Sequence, residues 1–161
     1  MTHGALIIGY GNVLRSDDGV GWHIAERLAN DPRFDDVTVL QRHQLTPELS
    51  LDVSRADVVA LVDASQGRAA GMFTIERVAA SENAVTTWSH RLEPATLLTL
   101  AQELYGHAPE VYLVSVGVAS LDVGDSLSPA LEAALPRVVD ALAELLAPRT
   151  GQQQVADGSR A

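Results

Sequence analysis

The stretch that decides the fold is IIGYGNVLRSDDGVG, residues 7–21, where a short apolar run leads through two glycines and an asparagine to a pair of aspartates. Residues 5–9 form a continuous apolar run of the kind expected for a strand covered on both faces. After the aspartates, Val20, Ile24 and Leu28 recur every fourth residue, which predicts a helix. The stretch therefore predicts a strand, an acidic turn and a helix in direct succession.

The same alternation of strand and helix patterns continues along the chain. Runs rich in Val, Ile and Leu predict buried strands at residues 58–63 and 111–118 and a shorter strand at 37–41, while residues 71–78 alternate like a half-exposed edge strand. Strands that alternate with helices favour a mainly parallel sheet covered by helices on both faces. We therefore predict an α/β fold, a three-layer α/β/α sandwich with a mainly parallel central sheet of about five strands.

Two later helices have recognisable boundaries. Pro94 is placed to open one helix and Gly106 to end it. Ser128 and Pro129 are typical of the N-cap and first position of another helix, which Pro136 should kink or split.

Length and composition predict one domain. A chain of 161 residues with 47% hydrophobic side chains suits a single core, which we place at residues 1–147. Residues 148–161 are polar and without periodicity, so we expect a disordered tail. No stretch approaches the roughly 20 apolar residues of a membrane span and no signal peptide is recognisable, so we expect a cytoplasmic protein.

Charge and cysteine content exclude several kinds of function. The 21 acidic and 11 basic side chains give a net charge of -10, which disfavours nucleic acid and anionic membranes as partners. The absence of cysteine excludes disulfides, thiolate metal sites and a cysteine nucleophile. No HExxH metallopeptidase motif and no nucleophile-elbow serine is present. Any metal must therefore bind to oxygen and nitrogen.

Polar residues follow the predicted strands at the edge where open α/β sheets bind ligands. Asp17 and Asp18 follow the first strand, Asp63 ends the run 58–63, and His90 lies in a later loop. One member of the aspartate pair is expected to secure the helix start, which leaves the other as a candidate for function. A carboxylate after an unbroken apolar strand must be paired, liganded or in a cleft, because its desolvation is otherwise too costly.

Two carboxylates and one imidazole on separate loops suit a borderline divalent ion such as nickel or zinc. The competing hypothesis is a nucleotide site, because Gly9 and Gly11 begin like a dinucleotide fingerprint. Leu14 stands at the third glycine position and two acids follow, so a phosphate would meet negative charge. His43 follows the second strand and could line the same mouth, although a surface role is the favoured interpretation.

The motif GYGNVLRSDDGVGWHIAERL, residues 9–28, resembles the opening motif of the nickel-iron hydrogenase maturation endopeptidases. Its features are a G-x-G-N turn, a short spacer, an acidic pair and a glycine-containing helix start. The resemblance continues through HQLTPELSLDVSRADVVALVDAS, the Ser-His of TTWSHRLEP and LSPALEAALPRVVDAL. It covers about residues 4–147.

The resemblance implies an endopeptidase that removes the C-terminal extension of a hydrogenase large-subunit precursor after nickel insertion. The metal-contacting positions of the family, which would also be the catalytic ones, fall on Asp18, Asp63 and His90. The nickel would be supplied by the substrate. The family accepts Glu or Asp at the first position, so Asp18 reaches one methylene less far than a glutamate.

The remaining positions of the first motif would build its turn. Gly9 and Gly11 allow tight backbone geometry, Asn12 fixes the loop by a local hydrogen bond, and Asp17 secures the helix start. Two alternatives stay open: a non-catalytic chaperone that binds nickel or the precursor, and a peptidase of the same fold with an unrelated substrate. We expect a monomer with no nucleic-acid or membrane partner.

Overall fold

The structure, a computed structural model, describes residues 4–80 and 92–158, and its side chains up to residue 147. These residues contain five strands and four α-helices. The strands are β1 (Ala5–Tyr10), β2 (Thr38–Arg42), β3 (Val58–Ser65), β4 (Phe73–Val78) and β5 (Glu110–Gly117). The helices are α1 (Val20–Leu28), α2 (Leu49–Ser54), α3 (Pro94–Tyr105) and α4 (Pro129–Gly158), and short 3-10 helices span Ser16–Gly19 and Pro32–Phe34.

The strands form one sheet in the order β2, β1, β3, β5, β4. The first four are parallel, and β4 lies antiparallel to β5 at the edge. The register places Ile7 beside Ala60 and Ala60 beside Tyr112. The prediction of a mainly parallel sheet of about five strands, with an edge strand at residues 71–78, is confirmed.

Two apolar clusters cover the two faces of the sheet. One joins α1 and α4 to the sheet and includes Ile7 and Ile24. The other joins α2 and α3 to the opposite face and includes Ile8 and Leu97. All four of these side chains are at most 1% exposed, and each fully buried side chain of this size contributes about 1.5–3 kcal/mol. The predicted three-layer α/β/α sandwich is therefore confirmed.

The ends of α3 and the start of α4 at Pro129 agree with the sequence pattern. α3 begins at Pro94 and ends at Gly106, whose φ of 75° is left-handed. α4 is one continuous helix through Pro136, so the helix is not split there. The flanking leucines are buried in the core, and their packing holds the helix across the missing hydrogen bond.

The backbone of α4 continues to Gly158, rather than ending near residue 147 as the predicted tail implied. The division of the chain into a domain at residues 1–147 and a tail at 148–161 stays a prediction. Among the helices of the described ranges, none is long and apolar enough to cross a membrane.

Two glycines bring α1 into direct contact with the sheet. A Cβ atom on Gly21 would clash with the carbonyl oxygen of Val62 and with the backbone of Tyr10, and a Cβ atom on Gly9 would clash with the carbonyl of Gly21. The start of α1 therefore lies against the carboxyl ends of β1 and β3. This contact places the aspartate pair beside the ends of the strands.

The close approach predicts that Gly21→Ala lowers the free energy of unfolding by about 2 kcal/mol, because overpacking outweighs the helix propensity of alanine. Urea denaturation followed by circular dichroism measures this change. Gly67→Ala is the matched control, since nothing lies within 4 Å of its added Cβ. Equal stability of the two variants would contradict the close contact.

Candidate functional site

A cavity of about 520 Å³ opens at the carboxyl ends of β1, β2 and β3. This is the edge at which open α/β sheets bind ligands. The turn after β1, the residues after β2, the carboxyl half of β3 and the start of α3 all contribute to its wall. Its polar lining includes Asn12, Arg15, Asp18, His43, Asp63 and Glu93.

The structure brings together two of the three predicted site residues. Asp18 and Asp63 line the same cavity, and both are partly buried. The backbone N–H of Asn12 donates to Asp18 Oδ2 at 2.9 Å, and the N–H of Ala64 donates to Asp63 Oδ1 at 2.7 Å. These bonds orient both carboxylates before any ligand binds. The third predicted residue, His90, lies outside the described residues.

Asp63 does not end its strand, as the sequence had suggested, because β3 continues to Ser65. Its backbone lies beside Ser115 of β5. Asp63 still lines the cavity, because the cavity wall includes part of the carboxyl half of β3. The end of the apolar run at Asp63 therefore marks where β3 reaches the cavity, and the pairing of β3 with β5 continues to Ser65.

The turn between β1 and the aspartates is fixed by its own residues. Asn12 Oδ1 accepts a hydrogen bond from the N–H of Leu14 at 2.9 Å. Gly11 has a φ of 149°, and a Cβ atom there would clash with the carbonyl oxygen of Asp18. Asn12 therefore holds the loop with its side chain and holds Asp18 with its backbone N–H.

Asp17 has a different role from the predicted one. It does not cap α1, whose N-cap is Gly19 without a side-chain hydrogen bond. Its side chain is fully buried, and Oδ2 accepts from the N–H groups of Ala119 and Ser120 at 2.8 and 3.1 Å. The N–H and Oγ of Ser128 donate to Oδ1 and Oδ2 at 2.7 and 2.8 Å. Asp17 thus secures the loop after β5 and the start of α4.

The same contacts set the acidity of this carboxylate. Burial raises the pKa of Asp17, but the hydrogen bonds from Ser128, Ala119 and Ser120 outweigh burial and hold the pKa below its usual value of 3.8. The partners lie 102 to 111 residues later in the chain. No local pattern in the sequence could indicate them.

The buried carboxylate predicts a loss of stability in Asp17→Asn of about 3 kcal/mol at pH 7, because buried N–H donors lose a charged acceptor. Urea denaturation of the variant and the wild type measures the difference. Asp125→Asn is the matched control, an exposed carboxylate in the loop that Asp17 secures. A difference no larger than that of the control would contradict this role.

The lowered pKa also predicts a pH dependence with a definite sign. The carboxyl group of Asp17 binds a proton more readily in the unfolded chain than in the folded protein. Its contribution to the free energy of unfolding is therefore present above about pH 4 and is lost as the pH falls through the lower folded pKa. The free energy of unfolding should therefore fall more steeply below pH of about 4 in the wild type than in Asp17→Asn. Parallel profiles from pH 7 to pH 2 would contradict the shift.

His43 lines the cavity, a role that we did not favour from the sequence. Its side chain is exposed, as favoured, and it also lines the cavity. The imidazole stacks on the ring of Trp22, with centroids 4.9 Å apart and planes 24° apart. The carbonyl of Trp22 accepts a hydrogen bond from Gln41 Nε2 at 3.0 Å. The stack on Trp22 therefore holds the ring of His43 at the cavity.

The charge of the cavity favours a cation. The described lining carries the carboxylates of Asp18, Asp63 and Glu93 against the single guanidinium of Arg15. Such an excess of negative charge attracts a metal ion or a basic peptide segment and disfavours a phosphate. Within residues 4–80 and 92–158, no group of three or more His, Asp or Glu side chains is arranged to hold a metal. Asp18 and Asp63 could supply two oxygen ligands, and a third would come from elsewhere.

No protein-family model matches the chain, and no curated protein matches its sequence. Solved structures match it closely. The hydrogenase maturating endopeptidase HybD from E. coli is 27% identical with a TM-score of 0.67, covering 86% of this chain and 89% of that chain. The hydrogenase 2 maturation peptidase from a Thaumarchaeota archaeon is 25% identical with a TM-score of 0.67, covering 89% and 97%.

A third structure supports the fold alone because its identity is lower. The [NiFe] hydrogenase maturation protease HycI from Thermococcus kodakarensis is 24% identical with a TM-score of 0.71, covering 89% of this chain and 92% of that chain. All three neighbours share the fold of this chain. The first two are named as hydrogenase maturation peptidases, which confirms the resemblance found in the sequence.

Proposed function

We propose that this chain, which resembles the hydrogenase maturation endopeptidases in sequence and in structure, removes the C-terminal extension of a nickel-iron hydrogenase large-subunit precursor after nickel insertion. The observation that carries the proposal is the meeting of Asp18 and Asp63 in one cavity at the carboxyl ends of the strands. The names of the similar structures supply the reaction class and the kind of substrate. We place the reaction in the cytoplasm.

In this proposal the precursor carries the nickel to the cavity. Asp18, Asp63 and His90 would bind the metal through two carboxylate oxygens and one imidazole nitrogen, a ligand set that suits nickel. The N–H groups of Asn12 and Ala64 already orient the two carboxylates. Binding of the tail is then strong only when the metal is present, so the metal licenses cleavage.

Cleavage itself would use water. The chain has no cysteine, and its serines lack a nucleophile-elbow context, so nothing in the sequence supports a covalent intermediate. Water would add to the carbonyl carbon of the scissile peptide bond as the carbon–nitrogen bond breaks and the amine leaves with a proton. Asp18 and Asp63 are the cavity carboxylates we assign to hold the metal-loaded tail and to accept the proton from water.

The licensing step is tested with a purified precursor prepared with and without nickel. The nickel-loaded precursor should lose its extension, and the nickel-free precursor should remain intact, because Asp18, Asp63 and His90 would hold the tail only through the metal. Gel mobility and intact mass measure the cleavage. Equal processing of both precursors would refute licensing, and a stable complex without cleavage would indicate a chaperone.

The ligand assignment predicts that Asp18→Asn, Asp63→Asn and His90→Ala each slow processing of the nickel-loaded precursor by about 100-fold or more. Asp18→Asn and Asp63→Asn should keep the stability of the wild type, since both side chains are only partly buried. Single-turnover rates measure the loss. Asp52→Asn is the matched control, because Asp52 lies at the opposite end of the sheet, beside Ala5.

The length of the first ligand can be tested separately. Asp18→Glu restores the longer side chain that the resembling family also accepts, so it should retain processing within about tenfold of the wild type while Asp18→Asn does not. The same single-turnover assay compares the two variants. Loss of activity in Asp18→Glu equal to that in Asp18→Asn would show that the hydrogen bond from Asn12 requires the shorter side chain.

A further inference from the structure

Two exposed apolar side chains lie on neighbouring loops, one of which borders the cavity. Leu14 is 64% exposed and Val123 is 95% exposed, although aliphatic side chains of this size are usually buried. We propose that Leu14 and Val123 form a docking surface for an apolar face of the folded precursor, next to the root of its C-terminal extension. This proposal rests on the proposed function and names the contact through which the substrate is held.

The two side chains belong to loops that are bonded to each other. The N–H of Gly124 donates to the carbonyl of Leu14, and the N–H of Ser16 donates to the carbonyl of Gly124, both at 2.9 Å. Ser16 Oγ also donates to the carbonyl of Asp122 at 2.8 Å. Leu14 and Val123 are therefore carried on neighbouring loops whose backbones are bonded to each other, rather than on independent loops.

The buried carboxylate of Asp17 joins the same two loops by further hydrogen bonds. It accepts hydrogen bonds from Ala119 and Ser120, which begin the loop that carries Val123. A surface held in this way loses little conformational freedom when a partner binds. The docking surface is thus built in advance and needs no rearrangement.

The docking surface is continuous with the cavity. Leu14 lies in the turn between Asn12 and Arg15, and both of these residues line the cavity. A cavity of about 520 Å³ accepts a short peptide segment, whereas a specific complex of two folded proteins buries roughly 1,200–2,000 Å². A folded precursor whose tail enters the cavity must therefore contact the surrounding rim.

The chemistry of the rim indicates the kind of partner. Val123 is flanked by the exposed carboxylates of Asp122 and Asp125. An apolar face with basic side chains at its border would complement this arrangement, since interfaces combine an apolar centre with a charged rim. The occupant we assign is such a face on the precursor, and a second copy of this acidic chain would meet like charge.

The test measures binding separately from cleavage. Nickel-loaded precursor is fixed to a biosensor, and the dissociation constant is measured for the wild type and for Leu14→Ser, Val123→Ser and the double variant. The double variant should bind about tenfold more weakly or worse, as expected when central apolar contacts are removed. Processing at saturating precursor should keep its rate, because neither side chain lines the cavity.

Leu104→Ser is the matched control, since Leu104 is 61% exposed on the last turn of α3. It should bind like the wild type. An unchanged dissociation constant in the double variant, an equal loss in Leu104→Ser, or no binding of the precursor by the wild type would each overturn the docking surface. A wild-type dimer that the double variant separates, seen by analytical ultracentrifugation, would also overturn it.

The two proposals fail in different ways in these measurements. If the wild type binds the precursor through Leu14 and Val123 but never cleaves it, the docking surface stands and the protease proposal fails. If the wild type cleaves the precursor and the double variant binds it equally well, the protease proposal stands and the docking surface fails.

Discussion

The buried carboxylate of Asp17 is the contact on which the rest of the site depends. A charge removed from water needs several hydrogen-bond donors to offset its desolvation, and Asp17 receives four. These donors come from the loop after β5 and from the first turn of α4, so one side chain ties three distant parts of the chain together. The 3-10 helix that carries both Asp17 and Asp18 is fixed as a result.

Asp17 and Asp18 are adjacent in sequence, but their side chains differ in burial. They lie in the 3-10 helix Ser16–Gly19, where successive side chains point about 120° apart. One carboxylate is fully buried among backbone donors, and the next lines an open cavity. Gly11 and Gly21 allow this short helix and α1 to approach the strands closely enough for the two environments to lie one residue apart.

Local patterns predicted most of the fold. All five strands were predicted, because continuous or alternating apolar runs reflect burial directly. The starts of α3 and α4 followed from Pro94 and from Ser128 with Pro129, whose chemistry marks a helix start. α2 was not predicted, since its six residues are too few for a helical period to appear.

The candidate site was less predictable, for reasons that can be stated residue by residue. Asp18 and Asp63 were predicted to lie together because each follows an apolar run, and the carboxyl ends of parallel strands meet at one edge of the sheet. The role of Asp17 was mistaken because its partners are remote in sequence. The place of His43 at the mouth depends on its stacking with Trp22, a contact between separate elements that no spacing encodes.

Residues 12–18 carry three of the roles assigned to the first motif. Its turn holds Asp18 through Asn12, exposes Leu14 toward a partner and buries Asp17 as the anchor. In the proposed complex, a precursor that contacts Leu14 is placed at a fixed distance from Asp18, because the intervening backbone is bonded at both ends. Coupling between docking and metal recognition then arises from rigidity, and it requires no change of conformation on binding.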